Sequence, residues 1–537
     1  MKSGIAFGAL AVLQLAIFQP AFGQDPPQYG TPFAGVPDPR DASIYQVNLR
    51  AFSEKGFQGV TERLDNIAAL GVNILYLMPC TPVGIVKTAN SPYCVRDYKA
   101  VNAEFGNVED LRKLIAEAHK RGMAVILDWV ANHTAWDHPW INAHPDWYEK
   151  DANGVIQPAK VNNFVWNDVA KLNFNVPEMR LAMIDALRWW IFNVNCDGFR
   201  YDYVDGPPID FWQQANGNLR GIAGHKLILY AEGGRQDNYK AFDYNHGFSF
   251  YDALRNIFGS GGPATRIEAE NDAQYKQAGE ANRLVRYITN HDVNGWDGPP
   301  QNLMGGQAGA TAAFVLAAYN RGVPLIYNGQ EIALNYALKF PFTQEKIKWD
   351  ANPVVTDEYV KLIRFRNKSE AIRRGVPVSY SNNDVSAFVK KTANEKALVL
   401  VNARNHAVTY TLPPDLANTT WYNGFDRTEI KLGAKIDLAP FQYLAATAAP
   451  LSTRALAPQA ISAGGYRVRV ADMELAVDGL TPGSRMQVLD ASGRTVLRAE
   501  AARESQRFDL RGQRPGLYVL SLSAPGSARP ILRKFLL

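Results

Sequence analysis

From residue 42 onward, short apolar runs alternate with amphipathic stretches. Residues 43–49 read as a strand, 60–70 as a helix, and 73–78, rich in Ile, Leu and Tyr, as the next strand. Residues 108–121 predict a helix with Glu109 and Asp110 early and Lys120 and Arg121 late, the polarity that the helix macrodipole favours. Residues 123–130 are the third strand. An aromatic-rich insertion over about 134–173 follows, holding Trp136, Trp140, Trp147 and Trp166. Alternation resumes at Pro177, a residue suited to a first helical turn, with a helix through Ile191. The next predicted pairs are 199–204 with 209–219, 227–231 with a short helix near Asn238, and 248–254 with 265–277. The pairs 284–289 with 308–319 and 323–327 with 357–373 complete eight units. The pattern predicts the α/β class: a closed (β/α)8 TIM barrel over residues 24–375, with a short insertion after strand 3.

After Gly375 the helical period stops. Residues 376–447 alternate apolar and polar positions in short runs (385–389, 397–401, 408–412), as in an antiparallel β-sandwich. Residues 448–462, rich in Ala, Pro and Ser, read as a linker. A small β-rich unit over 463–537 ends the chain, with turns at Gly493-Arg494 and Pro515-Gly516 between apolar runs such as 486–489 and 517–522.

Residues 1–23 look like a secretory signal peptide: Lys2, a mostly apolar run over 5–18, and small residues around Ala21-Phe22-Gly23. That run is too short to span a membrane. The expected location is therefore secreted or cell-surface, after export across the inner membrane. The 47% hydrophobic and 20% charged content suits a soluble globular chain. The net charge of +5 lies wholly in residues 464–537, where 12 Lys and Arg, 11 of them Arg, face 7 Asp and Glu. The remainder balances at 45 against 45, which argues against nucleic acid and for a neutral substrate. Of three cysteines, Cys80 and Cys94 flank one loop. Two free buried thiols are the plainer reading; a disulfide, worth about 3 kcal/mol in an oxidising compartment, is the alternative. Cys196 reads as a small buried hydrophobe.

Four segments end with a carboxylate or imidazole where a strand should meet a loop. They are Asp128-Trp129-Val130-Ala131-Asn132-His133, Gly198-Phe199-Arg200-Tyr201-Asp202, Tyr230-Ala231-Glu232-Gly233 and Asn290-His291-Asp292. In a (β/α)8 barrel the C-terminal ends of all strands converge, so Asp202, Glu232 and Asp292 are expected to meet. Glycosidic cleavage with retention needs a carboxylate nucleophile and a carboxylic acid about 5–5.5 Å apart. Arg200 shares a strand face with Asp202 and should favour its ionised form, which suits a nucleophile. Glu232 ends an apolar strand, where a raised pKa suits a general acid. Asp292 would stabilise positive charge in the transition state, with His133 and His291 donating to sugar hydroxyls.

These segments resemble the conserved regions of the α-amylase family of retaining glycoside hydrolases. The likeness includes Gly71-Val72-Asn73-Ile74-Leu75-Tyr76-Leu77-Met78-Pro79, Ser91-Pro92-Tyr93, Asp97-Tyr98, Phe105-Gly106 and Glu109-Asp110-Leu111, and extends from residue 42 to about 447. The resemblance implies Asp202 as nucleophile, Glu232 as acid/base and Asp292 as the third acid. It implies that Arg200 positions the nucleophile, Asp128 supports Arg200, Tyr93 stacks on the cleaved sugar, and His133 and His291 hold it. Two departures stand out. Asp205-Gly206 occupies positions where such amylases commonly carry Lys-His, and Ser53-Glu54-Lys55-Gly56-Phe57-Gln58 replaces an acidic metal loop. Asn132 matches the family's calcium-ligand Asn, so the resemblance implies calcium as a candidate cofactor, although one donor alone does not establish a site of six to eight oxygens. The last unit resembles sorting domains of type IX secretion, through Val488-Leu489-Asp490-Ala491-Ser492-Gly493-Arg494, Leu517-Tyr518-Val519-Leu520 and Arg533-Lys534-Phe535-Leu536-Leu537. A carbohydrate-binding or spacer β domain is the alternative there.

The resemblance implies a secreted enzyme hydrolysing α-1,4 bonds in starch-like glucans, with the type IX machinery as a further partner. A cyclomaltodextrinase- or neopullulanase-like hydrolase or a transglycosylase on the same scaffold is the first rival. A non-catalytic glucan-binding protein is the second, and the presence of all three acids counts against it.

Overall fold

The computed structural model describes residues 25–536 except 162–163, 277–282, 350–351, 452–460, 464–465, 472–473, 491–492, 511–512, 514–516 and 526–529. The expected signal segment and most of the linker lie outside the described residues. Eight parallel strands close into a barrel in chain order: β1 (Ile44–Val47), β2 (Ile74–Leu77), β3 (Ala124–Val130), β4 (Gly198–Asp202), β5 (Ile228–Ala231), β6 (Tyr244–His246), β7 (Arg283–Arg286) and β8 (Val323–Tyr327). Parallel register runs around the ring, with Ile44 beside Ile74, Leu127 beside Phe199 and Ile44 beside Leu325. Strands enclosed by helices bury both faces, which is why β3 is buried at all seven positions and reads as a continuous apolar run. Gly198 opens β4 at φ 137°, and a Cβ there would stand 2.0 Å from the Ile228 carbonyl oxygen. Glycine therefore lets the Asp202 strand lie against the Glu232 strand.

The helix Val108–Lys120 shows the local logic. Asn107 caps it, accepting from the Glu109 and Asp110 amides at 2.9 and 3.2 Å, while Asp110 accepts from the Asn107 amide at 3.0 Å. Its buried face is Leu111, Leu114, Ile115 and Ala118, positions i, i+3, i+4 and i+7.

One expected element is wrong. The sixth strand is not 248–254 but Tyr244–His246, and Phe248–Ser260 is a helix. The run Phe248-Ser249-Phe250-Tyr251 alternates like a strand, yet Phe250, Tyr251, Leu254, Ile257 and Phe258 are buried at helical spacing, and that longer period prevails. The first strand is also shorter than expected, because Asn48 caps a one-turn helix over Leu49–Phe52.

After β3 the chain forms a three-stranded antiparallel sheet from His133–Ala135, Pro158–Val161 and Phe164–Lys171. Beyond the barrel, a six-stranded and a two-stranded antiparallel sheet enclose Val385, Leu398, Leu400, Tyr410, Trp421 and Leu438. The barrel core continues into this unit through Phe388, Val399, Val401 and Phe441. Two four-stranded antiparallel sheets follow, with a separate core that includes Leu475, Val477, Met486, Val488 and Leu520. Cys80, Cys94 and Cys196 are free and buried, the plainer of the two sequence expectations.

Candidate active site

The eight strands bring Asp128, Asp202 and Glu232 around one guanidinium. Arg200 Nη1 lies 2.7 Å from Asp128 Oδ1 and 3.2 Å from Asp202 Oδ1, and Nη2 pairs with Glu232 Oε1. Arg200 and Asp128 are sealed from solvent, whereas the Asp202 and Glu232 side chains keep a narrow opening of 14% and 13%. Burial works against the Arg200 charge, and the Asp128 and Glu232 carboxylates more than offset it, driving the pKa upward.

Sequence reasoning expects Arg200 to keep the Asp202 pKa low. In the structure burial raises it first and the Glu232 charge raises it further, and together these outweigh Arg200. Asp202 therefore holds its proton to a higher pH than an ordinary carboxylate. Glu232 also lacks the purely apolar surroundings expected of it. Beyond Arg200, its Oε2 accepts from the Tyr203 amide at 3.0 Å. Tyr203 adopts φ 41°, a left-handed conformation uncommon for a non-glycine residue, directly after Asp202.

A second layer fixes the pocket. Asp128 is pushed up to about 6 by burial and accepts from Tyr76 Oη at 2.5 Å and Tyr93 Oη at 3.2 Å. Tyr93 Oη also lies 2.7 Å from His291 Nε2, and the two rings are nearly parallel at 5.5 Å. Gln46 Nε2 is 2.9 Å from His291 Nδ1, which orients the imidazole. Asp292, half-exposed at the mouth, comes within 3.5 Å of His291 Nε2. Burial brings the His133 and His291 pKa values down to about 3, so both rings are neutral near pH 7. His133 Nε2 stands 3.3 Å from the Tyr93 carbonyl oxygen.

Sequence reasoning missed Gln46, Tyr76 and Tyr203. Gln46 and Tyr76 had a signal: each interrupts an apolar strand with a polar group facing the barrel interior. Tyr203 had none, because its role is a backbone amide set by conformation.

Asn132 does not present a cation site. The Lys171 ammonium hydrogen-bonds its Oδ1, and a Cβ on Gly206 would lie 2.3 Å from the same oxygen. A hard divalent ion needs six to eight oxygen donors. Among the described residues no group of three or more His, Cys, Asp or Glu is placed to hold a metal. The side chains present do not fit calcium at Asn132. Asp205, at the other departure, accepts from the Gly234 amide at 2.7 Å and from Asn238 Nδ2 at 3.0 Å, tying the loop after β4 to the loop after β5.

The chain is similar to known proteins across the barrel. Residues 52–388, more than half of the chain, match the family model for the α-amylase catalytic domain. The chain is 25% identical over 387 residues to α-amylase 2 of Dictyoglomus thermophilum, covering 67% of this chain and 66% of that protein. It is 26% identical over 444 residues to neopullulanase 2 of Thermoactinomyces vulgaris, covering 75% and 71%. The crystal structure of an α-amylase from Lactobacillus plantarum superposes with a TM-score of 0.69 at 26% identity, over 76% of this chain and 99% of that one. Several such relatives are longer, and the chain spans 58–66% of their length. An eight-stranded barrel, acids at its strand ends and a family model over residues 52–388 lead to one conclusion: this chain belongs to the α-amylase family.

Proposed function

We propose that the protein is an exported retaining glycoside hydrolase that cleaves α-1,4-glucosidic bonds in starch-like glucans. The observation that carries this reading is the convergence of Asp202 and Glu232 on the Arg200 guanidinium at the barrel mouth. In this reading Glu232 donates a proton to the departing glycosidic oxygen. Asp202 Oδ attacks the anomeric carbon, the C–O bond breaks, and a covalent glycosyl-Asp202 ester forms. Glu232, now ionised, takes a proton from water as that water displaces Asp202. Arg200 offers an ionic partner to whichever acid is charged at each stage, with Asp128 holding it in place. Asp292 stabilises positive charge on the sugar ring. Tyr93 stacks against that sugar, and the neutral His133 and His291 exchange hydrogen bonds with its hydroxyls. No step in this scheme needs calcium.

Export rests on residues 1–23, and type IX sorting on the terminal unit. The motif Val488-Leu489-Asp490 lies in the strand Arg485–Asp490, and residues 533–536 of the basic-apolar tail lie in the strand Ile531–Leu536. Secretion of a fusion carrying residues 463–537 by a type IX-competent host tests the sorting reading.

The activity is tested by product release from soluble starch, pullulan and β-cyclodextrin. Maltooligosaccharides released fastest from starch support the reading. Faster attack on pullulan or cyclodextrin moves the enzyme to the neopullulanase-like alternative, with the Asp205-Gly206 loop as the first determinant to exchange.

A further inference from the structure

Trp296 is 70% exposed, on the short helix His291–Trp296 that begins beside the catalytic pocket. A single exposed aromatic on a soluble protein is ordinary. Trp296 is not isolated. Its ring stacks on Phe340 at 5.6 Å with planes 23° apart. Phe340 packs edge-on against Phe342 at 5.8 Å, and Phe342 lies 6.3 Å from His291. A continuous aromatic row therefore runs from the cleavage pocket to solvent, with Phe342 buried, Phe340 half-buried and Trp296 open.

The row is held rigidly. Arg50 Nη1 donates to the Pro341 carbonyl oxygen at 3.1 Å, and the same buried guanidinium binds Asn90 and Glu104. The Leu338 amide donates to Asn294 Oδ1 at 2.7 Å, locking the loop after β8 onto the helix that carries Trp296. An exposed indole on such a base keeps one orientation, so a ligand stacking on it loses little additional freedom.

Pyranose rings have apolar C–H faces and polar rims, and a fixed aromatic face suits them as it suits other flat amphipathic groups. The position also has a direction. Glu232 on β5 protonates the leaving oxygen, so leaving sugars lie towards the β4 and β5 loops. Trp296 and Phe340 stand on the loops after β7 and β8, beyond His291 on the retained side.

We infer that Trp296, backed by Phe340, is a stacking platform for a sugar in the retained, non-reducing part of an α-glucan, beyond the sugar held at the cleavage point. The inference rests on the glucan-hydrolase reading. It makes the enzyme favour longer chains, because a short oligosaccharide seated for cleavage does not reach the platform.

The test compares kcat/KM for maltoheptaose with kcat/KM for maltotriose in the wild type, Trp296→Ala and Trp296→Phe. Loss of one aromatic stack should lower the heptaose-to-triose ratio about fivefold in Trp296→Ala, with the Phe variant restoring most of it. The ring is exposed, so the Ala variant should melt with the wild type, which a thermal scan checks. A wild type inactive on both substrates overturns the glucan reading itself. An active wild type whose ratio is unchanged in Trp296→Ala overturns the platform alone. A change of oligomeric state in that variant with an unchanged ratio also overturns it, in favour of a second copy on this face.

Discussion

Asp128 Oδ1 lies 2.7 Å from Arg200 Nη1, with both side chains closed to solvent. This pair anchors the site. Tyr76 and Tyr93 hold Asp128, and Asp128 in turn holds the guanidinium from which Arg200 addresses Asp202 and Glu232. Removing one partner of a buried pair strands the other charge, at a cost of about 3–5 kcal/mol.

Arg200→Lys should therefore be more informative than Arg200→Ala. The ammonium keeps the charge but cannot fork to three carboxylates. A kcat loss of about a hundredfold or more on starch is expected, by analogy with the removal of one oriented donor from a reacting centre. Circular dichroism should show a folded protein. Wild-type turnover in Arg200→Lys would remove the fork from the account.

Glu232→Gln should lower starch hydrolysis by about two to four orders of magnitude, the range for loss of a general acid. The same variant should retain far more of the initial fluoride burst from α-maltosyl fluoride, which reports the first step alone, because fluoride departs without a proton. Equal losses on both substrates would show that Glu232 is not the proton donor.

The pH profile with that fluoride has a defined sign. The proposed mechanism needs ionised Asp202, whose pKa is raised by burial and then by Glu232. Activity should fall as pH drops through a value above the usual carboxylate range. Replacing Glu232 with a neutral amide removes a cause of the rise, so the acidic limb of Glu232→Gln should shift to lower pH. A limb that stays in place or moves upward contradicts the coupling.

Glu331 is a stability probe remote from the chemistry. It is buried, accepts from Tyr45 Oη at 2.5 Å and the Gly329 amide at 2.9 Å, and burial pushes it up to about 7 from 4.5. A folded-state pKa above the unfolded one means the folded chain binds the extra proton. Its contribution is complete below about pH 4.5 and is lost as pH rises through 7. Melting curves from pH 4 to 8 should show the wild type losing up to ~3 kcal/mol relative to Glu331→Gln. A constant difference across that range would refute the assignment.

Chelation gives a separate check. With the Lys171 ammonium on Asn132 Oδ1, prolonged dialysis against EDTA should leave the melting temperature and starch activity unchanged. A drop restored by added calcium would show that a cation displaces Lys171.

How much of this was legible in the sequence depends on the scale of the signal. The barrel was readable because enclosed parallel strands are continuously apolar and their helices are amphipathic, so each unit announces itself locally. The nearness of Asp202, Glu232 and Asp292 was readable because a barrel converts strand ends into neighbours. The sixth strand was misread because Tyr244-Asn245-His246 is short and half polar, while the helix that follows begins with a strand-like alternation. The ammonium on Asn132 was not readable, since Lys171 is 39 residues away and meets it only through the antiparallel pairing of 133 with 171. The raised Asp202 pKa was missed for a related reason. A sequence shows Arg200 two residues away but not the burial and second acid that outweigh it.

The most direct test of the central claim is the configuration of the first product. Proton NMR during early hydrolysis of maltoheptaose by the purified chain resolves the new anomeric centre before mutarotation. If Asp202 forms a covalent intermediate that Glu232 helps water to release, the α-anomer appears first and the β-anomer grows in later. A β-anomer formed first would mean direct attack by water, and Asp202 would lose its place as the nucleophile.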